Sequence, residues 1–224
     1  LESDVSSTLR AVAVDADHSV WAAGDAGSLL VSEDAGGNWT AVETSGQNFT
    51  GVSANAAGDR VVLSSAEGSV WMLEGGELQR VYEGGTPLSD VWMTPDGDEM
   101  AAVGREGTLV ESRDGGDSWS RVPVDTVRDL HAVYVSGNGR TTLAVGEAGV
   151  IVRLGEDDSI VGEWLDPSLS LRDLHVSAHH VGHVVGDGGT ALKTYDAGLS
   201  WETMQLDTLA DFTALDQLHA EPHL

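Results

Sequence analysis

The feature that most constrains this chain is an internal repeat of about 40 residues. A small residue that ends a hydrophobic stretch recurs in steps of 40, 40, 42 and 40 residues, and a following glycine recurs in steps of 41, 39, 42 and 40. Because both series keep one register, we infer five tandem copies of one structural unit. The first series is Gly24, Ser64, Gly104, Gly146 and Gly186, and the second is Gly27, Gly68, Gly107, Gly149 and Gly189.

Each unit has the sequence pattern of four short β-strands. In the first unit these are predicted at about residues 9–15, 19–24, 28–33 and 38–43, rich in Val, Leu, Trp and Thr and separated by Gly, Asp and Asn. The second strands are nearly all apolar, as in VWAAG at 20–24, which is typical of a strand buried on both faces. Four-stranded units of this length form the blades of propellers. The predicted fold is therefore all-β, a β-propeller of four-stranded antiparallel blades.

The predicted domain is a single propeller over residues 9–218. An apolar residue marks the first strand of each unit, and Leu215 continues that series, so FTALDQL at 212–218 is predicted as one extra innermost strand. A five-bladed ring with an added strand is preferred, and a piece of a six- or seven-bladed protein is the alternative. The predicted repeats are 9–47, 48–85, 86–127, 128–169 and 170–209, with the extra strand at 210–218.

Three units carry a sharper motif, Ser/Thr-x-Asp-x-Gly-x-x-Trp, between their third and fourth strands. The Asp carboxylate can accept hydrogen bonds from its own turn, the Gly can adopt an unusual φ, and the Trp can pack on a neighbouring blade. Calcium needs roughly six to eight oxygens at one point, so one Asp per blade favours a structural role. The predicted structural residues are Asp34, Gly36, Trp39, Asp114, Gly116, Trp119, Asp196, Gly198 and Trp201.

The motif reads SEDAGGNW at 32–39, SRDGGDSW at 112–119 and TYDAGLSW at 194–201. It resembles the Asp-box, or bacterial neuraminidase repeat, of sialidases, sortilin-type receptors and xyloglucanases. The whole unit, best seen at 20–42, looks most like the photosystem II assembly and stability factor family and its relatives. This resemblance implies a β-propeller whose relatives include assembly factors that bind other proteins. The second and fourth units depart from the pattern because they lack the motif.

The charge balance is strongly acidic. Asp and Glu total 37 against 11 Lys and Arg, which gives a formal net charge of −26. Such self-repulsion destabilises a compact state in dilute buffer and is screened in molar salt, so we interpret the chain as adapted to high salt. An ordinary acidic secreted protein is the alternative. We expect an extracellular or cell-surface location, with the cytoplasm of a salt-accumulating halophile as the alternative.

Composition also limits the partners and cofactors. Nucleic acid is excluded as a partner because no basic stripe is present. The chain has no cysteine for disulfides or thiolate–metal sites, and no apolar run reaches the roughly 18 residues of a transmembrane helix. No cofactor is predicted. Histidines at 175, 179, 180 and 183 are not assigned to a metal, because strand spacing separates them.

The turns between second and third strands carry acidic residues that form the first part of a candidate binding face. If the ring closes, these turns lie at one end and could attract cations or a basic partner. General surface acidity is the preferred interpretation, because acidic residues are enriched along the whole chain. They are Asp25, Glu67, Glu106, Glu147 and Asp187.

The second part of this face is a set of basic residues on the innermost strands. Arg10, His131 and Arg172 are predicted to line the channel, where an arginine can hold a carboxylate with two parallel hydrogen bonds. The alternative is that the arginines neutralise buried acids of the chain itself, with candidates at Asp90, Asp129 and Asp173.

A non-catalytic binding or scaffold role is predicted, with a protein or polymer partner. The alternative is a glycan-processing hydrolase of sialidase-like or xyloglucanase-like type. A sialidase requires three arginines on the substrate carboxylate and a Tyr–Glu nucleophile pair, and its Arg-rich start motif is missing here. A two-carboxylate glycosidase needs its acids about 5–9.5 Å apart across a cleft, which a sequence of 37 acids does not exclude.

Overall fold

A computed structural model describes residues 6–155, 160–164, 167–177 and 180–215, with only the backbone described for 160–164. These residues form five four-stranded antiparallel sheets, each with its strands in sequence order. The sheets contact one another in chain order through their first strands. This arrangement confirms the predicted all-β propeller, and we number its sheets as blades 1 to 5.

The strands, in chain order and four to a blade, are β1 Leu9–Val14, β2 Val20–Gly24, β3 Leu29–Ser32, β4 Thr40–Ala41, β5 Phe49–Ala54, β6 Arg60–Ser65, β7 Ser69–Glu74, β8 Glu77–Glu83, β9 Leu88–Met93, β10 Met100–Gly104, β11 Thr108–Ser112, β12 Ser120–Arg121, β13 Leu130–Val135, β14 Thr142–Gly146, β15 Val150–Leu154, β16 Ile160–Trp164, β17 Leu171–Val176, β18 Gly182–Gly186, β19 Ala191–Thr194 and β20 Glu202–Thr203. The fourth strand is shortest in blades 1, 3 and 5, which carry the Ser/Thr-x-Asp-x-Gly-x-x-Trp motif.

The core consists of the interfaces between successive blades. We call the side of a blade that packs on the preceding blade its incoming face, and the opposite side its outgoing face. Four apolar clusters fill the interfaces of blades 1 and 2, 2 and 3, 3 and 4, and 4 and 5. Because strand side chains alternate between faces, apolar residues at every position of a second strand serve two interfaces at once. Ala101 and Ala102 on β10 show this, since they belong to different clusters.

The turns at residues 32–39, 112–119 and 194–201, which we call the Asp–Trp turns, have the predicted hydrogen bonds. In the second of them, the Asp114 carboxylate accepts hydrogen bonds from the Ser112 hydroxyl at 2.8 Å and the Ser118 N–H at 2.9 Å. Gly116 has φ 94°, and Trp119 packs against the cluster between blades 2 and 3. Hydrogen bonds from Asn38 lower the pKa of Asp34 to about 2, and those from Ser200 do the same for Asp196.

The glycines that end the second strands are needed for close packing and not for an unusual backbone conformation. Gly24 and Gly104 have φ −174° and −173°, which any residue adopts. A Cβ on Gly104 would lie 2.1 Å from the Pro87 carbonyl oxygen. Positive φ occurs later in the turn, at Glu106 with 56° and at Gly107 with 62°. Close packing of the first strand therefore requires glycine at Gly104.

Residues 211–215 lie beside blade 5 at the position of a sixth first strand. Phe212 N–H donates to the Gly186 carbonyl at 3.0 Å, and Leu215 N–H donates to Asp173 Oδ2 at 2.8 Å. They pair in no strand ladder within the described residues, so the predicted strand is not formed there, because a strand needs a paired neighbour. The rest of the predicted segment, 216–218, lies outside the described residues.

Candidate binding face at the channel mouth

The turns between second and third strands lie together at one end of the propeller, which we call the turn face. Three linkers are fixed there in the same way, because the carboxylate or amide oxygen of a linker residue accepts a hydrogen bond from a backbone N–H of the turn. The donor and acceptor residues are Ala26 and Asn48 at 3.1 Å, Glu106 and Asp129 at 3.0 Å, and Gly188 and Asp211 at 2.8 Å.

A β-bulge occurs at one residue of the first strand in every blade. The register of β1 against β2 skips Arg10, and the registers of β13 against β14 and β17 against β18 skip His131 and Arg172. A bulge releases its residue from the ladder and redirects the side chain. The three residues that the sequence predicted to line the channel are thus bulge residues. The bulge residues of blades 2 and 3 are Thr50 and Ser89.

Two of these bulge residues form ion pairs at the turn face. Arg10 donates from Nε and Nη2 to the two carboxylate oxygens of Asp25 at 2.5 and 2.8 Å. Arg172 binds Asp187 in the same way at 2.8 and 2.9 Å. These hydrogen bonds hold the pKa of both carboxyl groups below the usual range. Half of the Arg10 side chain remains exposed, so the pair fixes the guanidinium without covering it.

These pairs correct the suggested partners of the arginines, Asp90, Asp129 and Asp173. The acid of each pair lies in the turn of the same blade, 15 residues after the arginine. The bulge explains the difference, because it directs the arginine along its own blade to the turn instead of into the neighbouring blade. Asp129 Oδ2 lies 3.9 Å from Nε of a different arginine, Arg105. Asp90 and Asp173 accept hydrogen bonds from backbone N–H groups.

The five turn acids occupy two positions, so they do not form one uniform ring. Asp25, Glu147 and Asp187 begin their turns. Glu106 is the second residue of its turn, and Glu67 belongs to the one turn of the five that is not a 3-10 helix. Glu67 is tied to the linker, because Asn48 Nδ2 donates to its carboxylate at 2.9 Å. The acids therefore lie on the same face of the propeller but at different positions within their turns.

A pocket with a volume of about 520 Å³ opens beside the Arg10–Asp25 pair, between blades 1 and 2. It brings the first candidate arginine and the first candidate turn acid into one cavity. The turn supplies one wall and the next blade supplies the other. The lining residues are Arg10, Asp25, Ala26, Asn48, Thr50 and Ala66.

His131 is held differently from the arginines. Its Nδ1 lies 2.8 Å from the Leu171 carbonyl oxygen in the next blade. Because a carbonyl oxygen only accepts, Nδ1 is the donor of this hydrogen bond. The histidine is therefore positioned at the junction of blades 4 and 5.

Two carboxylates deeper on the first strands join neighbouring blades. Asp90 Oδ2 accepts a hydrogen bond from Val133 N–H of the next blade at 2.9 Å. Asp173 accepts from Leu174 N–H and Leu215 N–H, both at 2.8 Å. Burial, with a smaller effect from the charge of Asp173, raises the pKa of Asp90 to about 7. Asp90 thus connects two first strands and Asp173 connects β17 to residues 211–215, a role that sequence reasoning missed.

The histidine-rich stretch contains one direct juxtaposition. His175 and His183 face each other across the β17–β18 ladder, while His180 lies in the connecting turn with φ 65°. His179 lies outside the described residues. No group of three or more His, Asp or Glu side chains in the described part of the chain has the geometry of a metal site. Likewise, none of its helices is long and apolar enough to cross a membrane.

The fold and the turn face define a β-propeller, and comparisons with solved structures support that class. No family model matches the chain, and no curated protein matches its sequence. Among solved structures, Kuenenia stuttgartiensis hydrazine synthase has a TM-score of 0.75 at 15% identity, covering 95% of this chain and 70% of that chain. The β-propeller domain of Cps50 (Swd1) from Myceliophteria thermophila has a TM-score of 0.69 at 15% identity, covering 93% and 72%.

A third similar structure is YCF48 bound to D1 peptide. It has a TM-score of 0.50 at 14% identity, and the match covers 91% of this chain and 84% of that chain. At these identities the similarity shows the fold alone. The chain is therefore similar to β-propellers of varied function, and its own function must be argued from its residues.

Proposed function

We propose that this chain is a non-catalytic binding or scaffold protein that engages a cationic segment of a protein partner at its turn face. The observation that carries the proposal is the set of fixed charges there. Arg10 and Arg172 hold Asp25 and Asp187 in place, and the pocket beside the first pair offers room for a side chain. Glu106 and Glu147 are exposed on the same face.

A cationic partner fits the electrostatics of the face and of the chain. The net charge of −26 draws cations towards the molecule, and local acids determine where they bind. Arg10 and Arg172 are already engaged by Asp25 and Asp187, so an anionic ligand that binds these two arginines would have to compete with both ion pairs. This is why we favour a basic segment over an anionic one.

The roles of the deeper acids support a non-catalytic function. A two-carboxylate hydrolase needs one acid with a raised pKa and a second acid beside the substrate. The Asp90 and Asp173 carboxylates would be the nearest match, but both accept backbone hydrogen bonds that join first strands. We also propose that the Asp–Trp turns are Asp boxes and that the chain is exported and adapted to high salt.

The test is binding of a synthetic Lys/Arg-rich peptide and of its Asp/Glu-rich counterpart, measured by fluorescence anisotropy. We expect binding of the basic peptide only, weakened at least about threefold in a variant with Glu106→Gln and Glu147→Gln. The matched control carries Glu33→Gln and Asp117→Asn, which remove the same charge from the opposite end of the propeller. Equal weakening by both variants would mean that net charge alone, and not the turn face, attracts the peptide.

A further inference from the structure

The chain has four asparagines, and two of them begin the sequence Asn-x-Ser/Thr in which x is not proline. That sequence is the acceptor for N-linked glycosylation, a bulky and polar modification of protein surfaces. The two copies are Asn38-Trp39-Thr40 and Asn48-Phe49-Thr50. Because both have an aromatic middle residue and a threonine, their surroundings in the fold must decide which asparagine accepts a sugar.

Asn38 lies in the Asp–Trp turn of blade 1, where it is exposed. Its backbone N–H donates to Asp34 Oδ1 at 2.7 Å, and its Nδ2 donates to Asp34 Oδ2 at 2.6 Å. An amide nitrogen carries two hydrogens, so a sugar can replace the second one while the first still closes the turn. Thr40, which completes the acceptor sequence, is also exposed. The two residues that a transferring enzyme must recognise are therefore both accessible in the folded chain.

The exposure of Asn38 is a property of its place in the turn and does not depend on what packs beside blade 1. Ser118 and Ser200 occupy the same place in blades 3 and 5, and their hydroxyls donate to the aspartates of their turns at 2.5 and 2.6 Å. In blade 3 the preceding blade covers the turn, since a Cβ on Gly116 would lie 2.7 Å from Met72. Both serines are nevertheless exposed. Asn38 would therefore stay accessible with a further blade packed against its turn.

Asn48 directly precedes the first strand of blade 2, and the fold uses all three residues of its acceptor sequence. Its Oδ1 accepts the Ala26 N–H at 3.1 Å, and its Nδ2 donates to Glu67 at 2.9 Å. Phe49 is fully buried, with 0% exposure. The Thr50 hydroxyl is hydrogen-bonded at 2.9 Å to a serine hydroxyl of the next strand. An enzyme would have to unfold the start of β5 to reach this sequence.

A glycan on Asn48 would also conflict with the turn face, because Asn48 lines the pocket beside Arg10 and Asp25. A glycan on Asn38 has no such effect, since the Asp–Trp turns lie at the opposite end of the propeller. It would instead stand beside β4, the exposed outer edge of blade 1. A bulky polar group there would obstruct the pairing of another strand with this edge.

We propose that Asn38 carries an N-linked glycan and that Asn48 does not. The sugar comes from a lipid-phosphate-linked donor: a bond forms between Nδ2 and the anomeric carbon, and the bond from that carbon to the phosphate oxygen breaks. The lipid phosphate leaves with the bonding electron pair, and Nδ2 gives one proton to a base of the transferring enzyme. Because this modification belongs to exported proteins, the inference rests on the export proposed above. It does not depend on the partner proposed for the turn face.

The experiment uses the protein isolated from the cells that naturally make it, digested with a protease that cleaves after glutamate. Cleavage after Glu33, Glu43 and Glu67 separates the two acceptor sequences into peptides 34–43 and 44–67. Mass spectrometry should show the mass of added sugars on peptide 34–43 and the bare sequence mass for peptide 44–67.

Three variants, made in the same cells, test whether the fold selects the acceptor. Thr40→Ala should lose the sugar completely, because the acceptor sequence is broken while Asn38 keeps its place in the turn. Ser118→Asn creates Asn-Trp-Ser at the equivalent place in blade 3, and it should gain a second glycan. Ala57→Thr is the matched control, because it creates an acceptor sequence at Asn55, which is only 5% exposed and should stay bare.

The inference is overturned if peptide 34–43 has only its sequence mass or if peptide 44–67 carries sugar. It is also overturned if Ala57→Thr gains a glycan at Asn55 or Ser118→Asn gains none, because exposure in the folded chain would then not select the acceptor. Fractionation of the same cells separates this inference from the export on which it rests. A bare Asn38 on protein found outside the cells overturns the glycan alone, whereas a bare Asn38 on protein found inside them overturns export as well.

Discussion

Replacing Asp90 with Asn tests how far a buried carboxylate sets the pH dependence of folding. Burial raises its pKa to about 7 from 3.8. Between these values the folded protein keeps the proton and the unfolded chain releases it, so folding is favoured in acid. As pH rises through 7, the folded state must hold the charge and this contribution is lost. Asp90 therefore lowers the free energy of unfolding as the medium becomes more alkaline.

The magnitude follows from those two pKa values. Between about pH 5 and pH 8, the difference in proton binding integrates to about 2.5 kcal/mol at 1.36 kcal/mol per pKa unit. Part of the Asp90 residue is accessible, so contact with solvent reduces this value. We expect Asp90→Asn to gain about 1 to 2.5 kcal/mol relative to the natural chain over this pH range. The amide oxygen of Asn still accepts the Val133 N–H, so the connection between blades persists.

The assay is urea unfolding at about pH 5 and pH 8 in molar salt, followed by tryptophan fluorescence. The quantity of interest is the change with pH in the stability difference between variant and natural chain, because the other acids cancel in it. Asp117→Asn is the control, since Asp117 is exposed. If Asp90→Asn and Asp117→Asn show the same pH dependence, then burial does not perturb Asp90 and our account of the inner strands is wrong.

Three other predictions concern packing and charge. Trp119→Ala is expected to cost about 3 kcal/mol by urea unfolding, and Trp39→Ala less than half as much, because of the two only Trp119 packs against an apolar cluster between blades. Equal costs would contradict this difference in packing. Gly104→Ala is expected to lower the free energy of unfolding by at least about 3 kcal/mol, because its Cβ would meet the Pro87 carbonyl. Gly137→Ala is the tolerated control, because the nearest atom to its Cβ lies at 4.0 Å. Melting curves followed by circular dichroism distinguish the two variants. The melting temperature should rise steeply between millimolar and molar NaCl because the net charge is −26, and a constant value would reject salt adaptation.

Much of the fold was predictable because the same pattern of strands and turns recurs in five units of the sequence. The first three strands of blade 1 lie within a residue of their predicted bounds, but the fourth is only Thr40–Ala41. The site was harder to predict, because bulges depend on how two strands align. The sequence shows Arg10 and Asp25 but not the skipped residue that brings them together. Asp90 and Asp173 were likewise seen as acids, not as acceptors from the next blade.

The bulge in each first strand leaves one residue unpaired between the first and second strands of its blade. Arg, Thr, Ser, His and Arg occupy this place in successive blades. Substitution there changes what the rim presents while the sheets keep their pairing. Evolution or protein design can therefore change the five bulge side chains, and with them the binding specificity of this end of the propeller, without destabilising the fold.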